Sequence, residues 1–106
     1  MTKKVVADLE NNRGILIWGT GIGMSIASNK IKGSICGLCH DYYTAQMTRE
    51  HNNANILAMG ARVIGEEVGM QMAQVFLETK FKSDHANHPR RIAMFEELEN
   101  EMNSEE

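Results

Sequence analysis

The sequence predicts an α/β fold built on a parallel sheet. Two observations carry this. Short apolar runs alternate with longer helix-compatible stretches, the order that gives parallel strands joined by crossovers. A glycine cluster, Gly19-Thr20-Gly21-Ile22-Gly23, joins the first apolar run directly to a helix. The length of 106 residues suits a single domain, 1–106, and leaves no room for two. Hydrophobic residues at 42% suffice for a packed core, and 8 Met beside only 6% aromatic residues make that core aliphatic.

Each element has its own signal. Thr2–Asn11 reads as a helix that precedes any strand, as if the chain began in the middle of a fold. Gly14–Trp18 is an apolar run between Arg13 and the glycines, the pattern of a strand buried on both faces. Met24–Lys30 is a brief helix stopped by Gly33. Ser34–Cys39 and Asn55–Met59 are two further strands, the last closing on Gly60. Between them Asp41–Asn52 is polar and helical, with Asp41 placed to cap it. From Glu66 to Lys80, Val68, Met72, Val75, Phe76 and Thr79 recur on one helical face. Glu66 and Glu67 suit the positive end of that helix, and Lys80 and Lys82 the negative end. A last helix, about 88–102, opens at Pro89 after an Asn87 or His88 cap, with Ile92, Phe95, Leu98 and Met102 in one stripe. The acidic C-terminal tail is expected to fray.

Several functions are excluded. With 11 Lys+Arg against 14 Asp+Glu the net charge is −3, and no basic stripe alternates with aromatics, so nucleic acid is not an expected partner. No apolar run approaches the ~20 residues that span a bilayer. The N-terminus meets Asp8 and Glu10 where an export signal needs apolar residues, so a cytoplasmic location with reduced cysteines is expected. Cys36-Gly37-Leu38-Cys39-His40 spells a haem-attachment pattern, but residues i and i+3 of a strand face opposite ways, so both cysteines are read as core or strand-end residues. His40, His51, His85 and His88 include no ligand cluster, so no metal is expected; His85 and His88 read as surface or cap residues. Met70, Met72, Met94 and Met102 read as packing, although Met94 and Met102 can face a partner.

The glycine cluster is the chemical signal. Such a turn aims several N–H groups at one point near the positive end of a helix, a nest for a phosphate, a carboxylate or a developing enediolate. It is not a dinucleotide fingerprint, because Met24 occupies the position of the third glycine.

The run RGILIWGTGIGMSIASNKIKG, followed by LCHDYYTAQMTREHNNANILAMGARVIGEE, resembles the ribose-5-phosphate isomerase B family and its galactose-6-phosphate isomerase relatives, over Lys3 to about Ala93. The resemblance implies a three-layer, Rossmann-like α/β/α fold and a homodimer with active sites between subunits. It also implies aldose–ketose isomerisation of a phosphorylated sugar without metal or organic cofactor. In that reaction a base moves a proton between C2 and C1 through an enediolate, which loop N–H groups stabilise. By position, Gly19, Gly21 and Gly23 would form the anion hole and Thr20 would meet the reacting end. His51 would open the sugar ring, Asn52 would bind substrate and Arg91 would hold phosphate.

Three departures qualify that reading. The family's first two strands, the first bearing an Asp-His pair, are expected to be lacking, so a separate N-terminal segment is a candidate partner. Trp18 stands where the family base is a cysteine, and indole has no basic lone pair; its bulk is expected to fill the pocket. Some relatives use a carboxylate after the loop instead, but MSIASNK contains none, and Cys39 is the remaining thiol that can approach. Asn87 occupies the place of a second phosphate arginine. The expectation is an isomerase-family chain impaired on its own, the alternative being a non-catalytic subunit or sugar-phosphate-binding remnant.

Overall fold

The computed structural model describes residues 1–9, 11–84 and 87–104. Along them run α1 (Thr2–Ala7), β1 (Gly14–Trp18), α2 (Ile22–Asn29), β2 (Cys36–Leu38), α3 (Tyr42–Glu50), β3 (Ile56–Gly60), α4 (Glu66–Glu78) and α5 (Asn87–Ser104). The strands form one parallel sheet in the order β1-β3-β2, with Leu16 and Leu38 both opposite Ala58. β3 is buried throughout, as its unbroken Ile-Leu-Ala-Met run requires of a central strand. Its side chains alternate between two cores. Ile56 and Ala58 join Val5 and Cys36, while Leu57 and Met59 join Ala45, Met72, Val75 and Phe76. Ser28 of α2 bonds Thr2 of α1 at 3.0 Å on the first face. The molecule is therefore the expected three-layer α/β/α arrangement, with α1 and α2 on one side and α3 and α4 on the other.

Several boundaries differ from the sequence reading for local reasons. α1 stops at Ala7 rather than Asn11, because Asn12 Nδ2 donates to the Lys4 carbonyl and Asn11 Nδ2 to Asp8, so polar side chains compete with the helical ladder. α2 begins at Ile22, two residues early, because Gly21 at φ +82° makes the turn alone. β2 is shorter than Ser34–Cys39: Asn29 takes both the Cys36 N–H and C=O, and Asn55 takes the Ile35 N–H. Asp41 does cap α3, with Thr44 N–H donating to its carboxylate at 2.8 Å and the Thr44 hydroxyl facing back. On α4, Val68 is exposed, whereas Met72, Val75 and Phe76 are buried. The negative end of α4 is met by arginines rather than by Lys80 and Lys82. Arg13 donates to the carbonyls of Phe76, Leu77 and Thr79, and Arg49 to Thr79 and Ala54.

Cys36 and Cys39 are buried in opposite cores, which removes the haem-attachment pattern on geometric grounds. Met70 and Met94 are exposed, so of the methionines read as packing only Met72 is seen in the core among the described side chains. β1, read from its apolar run as buried on both faces, instead lies at the sheet edge and becomes exposed along its length, from buried Gly14 to Trp18 at 67%, because it pairs with β3 along one side alone among the described residues. α1 covers only its entry, where Met1 and Val5 crowd Gly14.

Candidate functional site

The glycine loop sits at the C-terminal edge of the sheet, where open α/β folds place their ligands. Its shape is set by close backbone contact. A Cβ on Gly21 would lie 2.8 Å from Leu38 Cδ1, and one on Gly60 would lie 2.6 Å from the Thr20 carbonyl oxygen. The turn after β3 fastens the loop from below: Ala61 N–H donates to the Trp18 carbonyl at 2.7 Å and Arg62 N–H to the Gly19 carbonyl at 3.0 Å. Thr20 Oγ1 accepts from Ile22 N–H at 3.3 Å, which stabilises the start of α2. Gly23 follows in the first helical turn, and nothing lies within 4 Å of where its Cβ would be. The loop is thus a rigid strand-to-helix turn at a helix N-terminus with open space in front of Gly23.

Two groups near this edge bear on proton transfer. Within one chain the Trp18 indole is exposed at the end of β1, next to the loop. Cys39 is buried, and burial pushes its thiol up to about 11, against the opposing hydrogen bond from Thr44. A thiol held there stays protonated near neutral pH and is no base. Among the described residues no three His, Cys, Asp or Glu side chains gather into a possible metal centre.

The other candidate residues lie at the opposite edge. α3 runs back from the end of β2, so His51, its C-cap, reaches the entry of β3. Asn55, four residues on, already accepts from Gly14 N–H at the entry of β1. The helix separates His51 from the glycine loop by on the order of 15 Å along the sheet. Asn52 and Asn53 line a cavity of about 680 Å³ there, roofed by Ile92, Phe95 and Leu98 of α5. The roof is tied down by Glu99, which accepts from Gly33 N–H at 2.7 Å. Of the predicted apolar stripe of α5, Ile92 is half-buried while Phe95 and Leu98 stay exposed, and the side chain of Met102 lies outside the described residues. Arg91 is exposed in the first turns of the same helix. Within one chain, then, Gly19–Gly23 with Thr20 lie at one end of the sheet and His51 with Asn52 at the other, while Arg91 is exposed on α5.

Sequence reasoning missed two residues. Arg62 Cδ and Nε lie 3.8 Å from the Cβ position of Gly19, which brings a cation beside the loop. The signal was its place two residues past the end of the third strand. His88, read as a surface or cap residue, is instead buried at 6% exposure, its ring 4.4 Å from that of His51. His85 lies outside the described residues.

Comparison with known proteins agrees with this geometry. The family model described as Ribose/Galactose Isomerase matches residues 1–95. A Bacillus subtilis protein provisionally named a sugar phosphate isomerase is 50% identical over 99 residues, covering 93% of this chain and 64% of that protein. The D-erythrulose-4-phosphate isomerase of Pectobacterium atrosepticum is 46% identical over 77 residues, covering 73% of this chain and 51% of its own length. Among solved structures, type B ribose 5-phosphate isomerase of Trypanosoma cruzi superposes with a TM-score of 0.90 at 40% identity, over 95% of this chain and 65% of that one. The Mycoplasma genitalium ribose-5-phosphate isomerase B with bound ribulose-5-phosphate gives 0.88 at 34%, over 94% and 64%. The chain thus spans between about half and two thirds of the length of these relatives.

Proposed function

The chain belongs to the ribose/galactose isomerase family, and from that premise we propose that it binds a phosphorylated sugar between two copies of itself, with little or no turnover on its own. One observation carries this reading. The tight strand-to-helix turn that would cradle the anion is present with open space before Gly23, while the side chain at the position of the family base is an exposed indole. Indole donates through its N–H and takes up no proton, so the binding half of the reaction is kept without the proton-transferring half. In the bound complex Gly19, Gly21 and Gly23 would aim N–H groups at the reacting oxygen and Thr20 would contact that end. His51 and Asn52 from the second copy would meet the ring, and Arg91 the phosphate. A strand supplied from outside these 106 residues, upstream or on another chain, would pair with the open edge of β1. The mildly acidic composition and two unpaired cysteines support a cytoplasmic place in carbohydrate metabolism.

A catalytic reading has one observation in its favour: matched relatives carry isomerase names for ribose 5-phosphate and for a four-carbon sugar phosphate. It would need a base from beyond these residues, and general base catalysis is worth ~10²–10⁴-fold. Titration calorimetry with ribose 5-phosphate, beside an assay for ribulose 5-phosphate, separates the two. Binding with no product above background is expected. Sustained turnover by the unmodified chain would overturn the proposal, as would failure to bind.

A further inference from the structure

The buried contact between His51 and His88 is unexplained by packing alone, because a buried imidazole must satisfy its ring nitrogens where a phenyl ring would not. His88 stands in the first turn of α5 and faces a structured wall. Its Nδ1 lies 3.4 Å from the Lys82 carbonyl oxygen. A carbonyl only accepts, so this contact is a hydrogen bond in the tautomer that carries its proton on Nδ1. Lys82 is itself fixed twice to the end of α3, by its N–H to the Glu50 carbonyl at 3.2 Å and by its ammonium to the buried Glu50 carboxylate at 2.6 Å. Phe81 flanks the same ring at 6.4 Å. The far side of His88 is the His51 ring, at an interplanar angle of 38°.

We propose that His88 is a positioning residue of the sugar-phosphate site: it sets the plane of the His51 ring and holds Arg91 in register with it. The second half follows from helix geometry. Residues three apart on a helix are neighbours, with Cβ atoms about 5–6 Å apart. Arg91 is three residues beyond His88, so anchoring His88 against His51 keeps the cation within one helical turn of that ring. A ring-directed group and a phosphate-directed group, on α3 and α5, thereby become one rigid unit. The inference rests on the proposed roles of His51 and Arg91, and its test is chosen to stand apart from them.

The test is the nitrogen-15 spectrum of the histidine rings in the 106-residue chain, for the wild type, His88→Phe and His88→Asn. The phenylalanine keeps a flat ring against His51 but cannot bond the Lys82 carbonyl; the asparagine keeps a donor near the place of Nδ1 but removes the ring. Positioning requires that the His51 ring nitrogens shift in both variants, with the backbone amide spectrum otherwise retained. It also requires roughly tenfold weaker binding of ribose 5-phosphate in His88→Phe. His51 signals in His88→Phe that coincide with the wild type would overturn the proposal, since a space-filling role predicts that result. Should the phenylalanine variant not fold, His88→Tyr, which keeps a ring against His51 without a nitrogen donor for the Lys82 carbonyl, carries the same two outcomes. Displaced His51 signals in a chain whose wild type binds no sugar phosphate would remove the proposed function and leave the positioning contact established.

Discussion

Trp18 and Cys39 divide the question of proton transfer between them. Trp18 has the right place and the wrong chemistry, and Cys39 has the right chemistry in the wrong surroundings. The chemistry of Trp18 was legible in one letter of sequence, but its exposure was not, because exposure depends on what lies beside the sheet edge. In the 106-residue chain, Trp18→Cys is expected to leave isomerase turnover at background, because the resemblance places an Asp-His pair beyond these residues. A coupled assay for ribulose 5-phosphate checks this. The Cys39 thiol gives a separate pH prediction. Its folded-state value rises from 9.0 to about 11 through burial, so the native state holds the proton more tightly than the unfolded one. The resulting stability is complete below pH 9 and is lost as the pH rises towards 11. Denaturant midpoints followed across that window should fall with pH in the wild type, and less steeply in Cys39→Ala. Asp41 acts in the opposite sense. Thr44 hydrogen bonds hold its carboxyl below the usual range, so its stabilisation is present above that range and is lost on acidification. Asp41→Asn should therefore flatten the acid limb of the same curve.

At the scale of elements, β3 was legible because a strand covered on both faces must be continuously apolar, and Ile56–Gly60 is, whereas the same kind of run in β1 gave its place but not its exposed edge. The helix ends were less so, since they depend on polar side chains that reach across the fold. Arg13 and Arg49 close the end of α4 from positions far from it in sequence, which no local dipole rule reveals. The glycine loop lies between these cases. Its turn was readable, but which glycine makes it was not; the structure assigns that to Gly21 rather than to Gly23. The two therefore separate on substitution. Gly21→Ala adds a Cβ 2.8 Å from Leu38 Cδ1 and 2.9 Å from the Met59 carbonyl carbon, at a backbone angle that L residues rarely adopt. It should cost about 2 kcal/mol or more. Gly23→Ala meets nothing within 4 Å and lies inside a helix, where alanine is favoured by roughly 0.5–1 kcal/mol. Urea unfolding of both variants decides the assignment; equal losses would overturn it.

At the scale of the whole molecule, the candidate residues occupy two ends of one sheet, and a sugar phosphate is far shorter than the distance between them. On the proposed reading, one chain offers a given ligand either the glycine loop or the His51 group, and its partner supplies the other. Two copies related by a two-fold axis allow this, because each end of one copy can meet the opposite end of the other. The exposed apolar residues Ile17, Trp18, Ile22 and Ile26, clustered along β1 and α2, give such an assembly surface to bury. A shared site also makes a mixing experiment decisive. Gly23→Asp places a carboxylate in the nest, where the open space admits it without disturbing the fold, and repels an anion. His51→Phe removes the ring-directed group from the other half. Each variant alone should bind no ribose 5-phosphate. After unfolding and refolding the two together, about half of the dimers are mixed, and each mixed dimer combines one intact nest with one intact His51. Binding should then return to about a quarter of the sites, read as calorimetric stoichiometry, with sedimentation showing a dimer. Recovery of none of the sites would place both groups in one chain's own pocket, and with it would fall the inference that the site is shared.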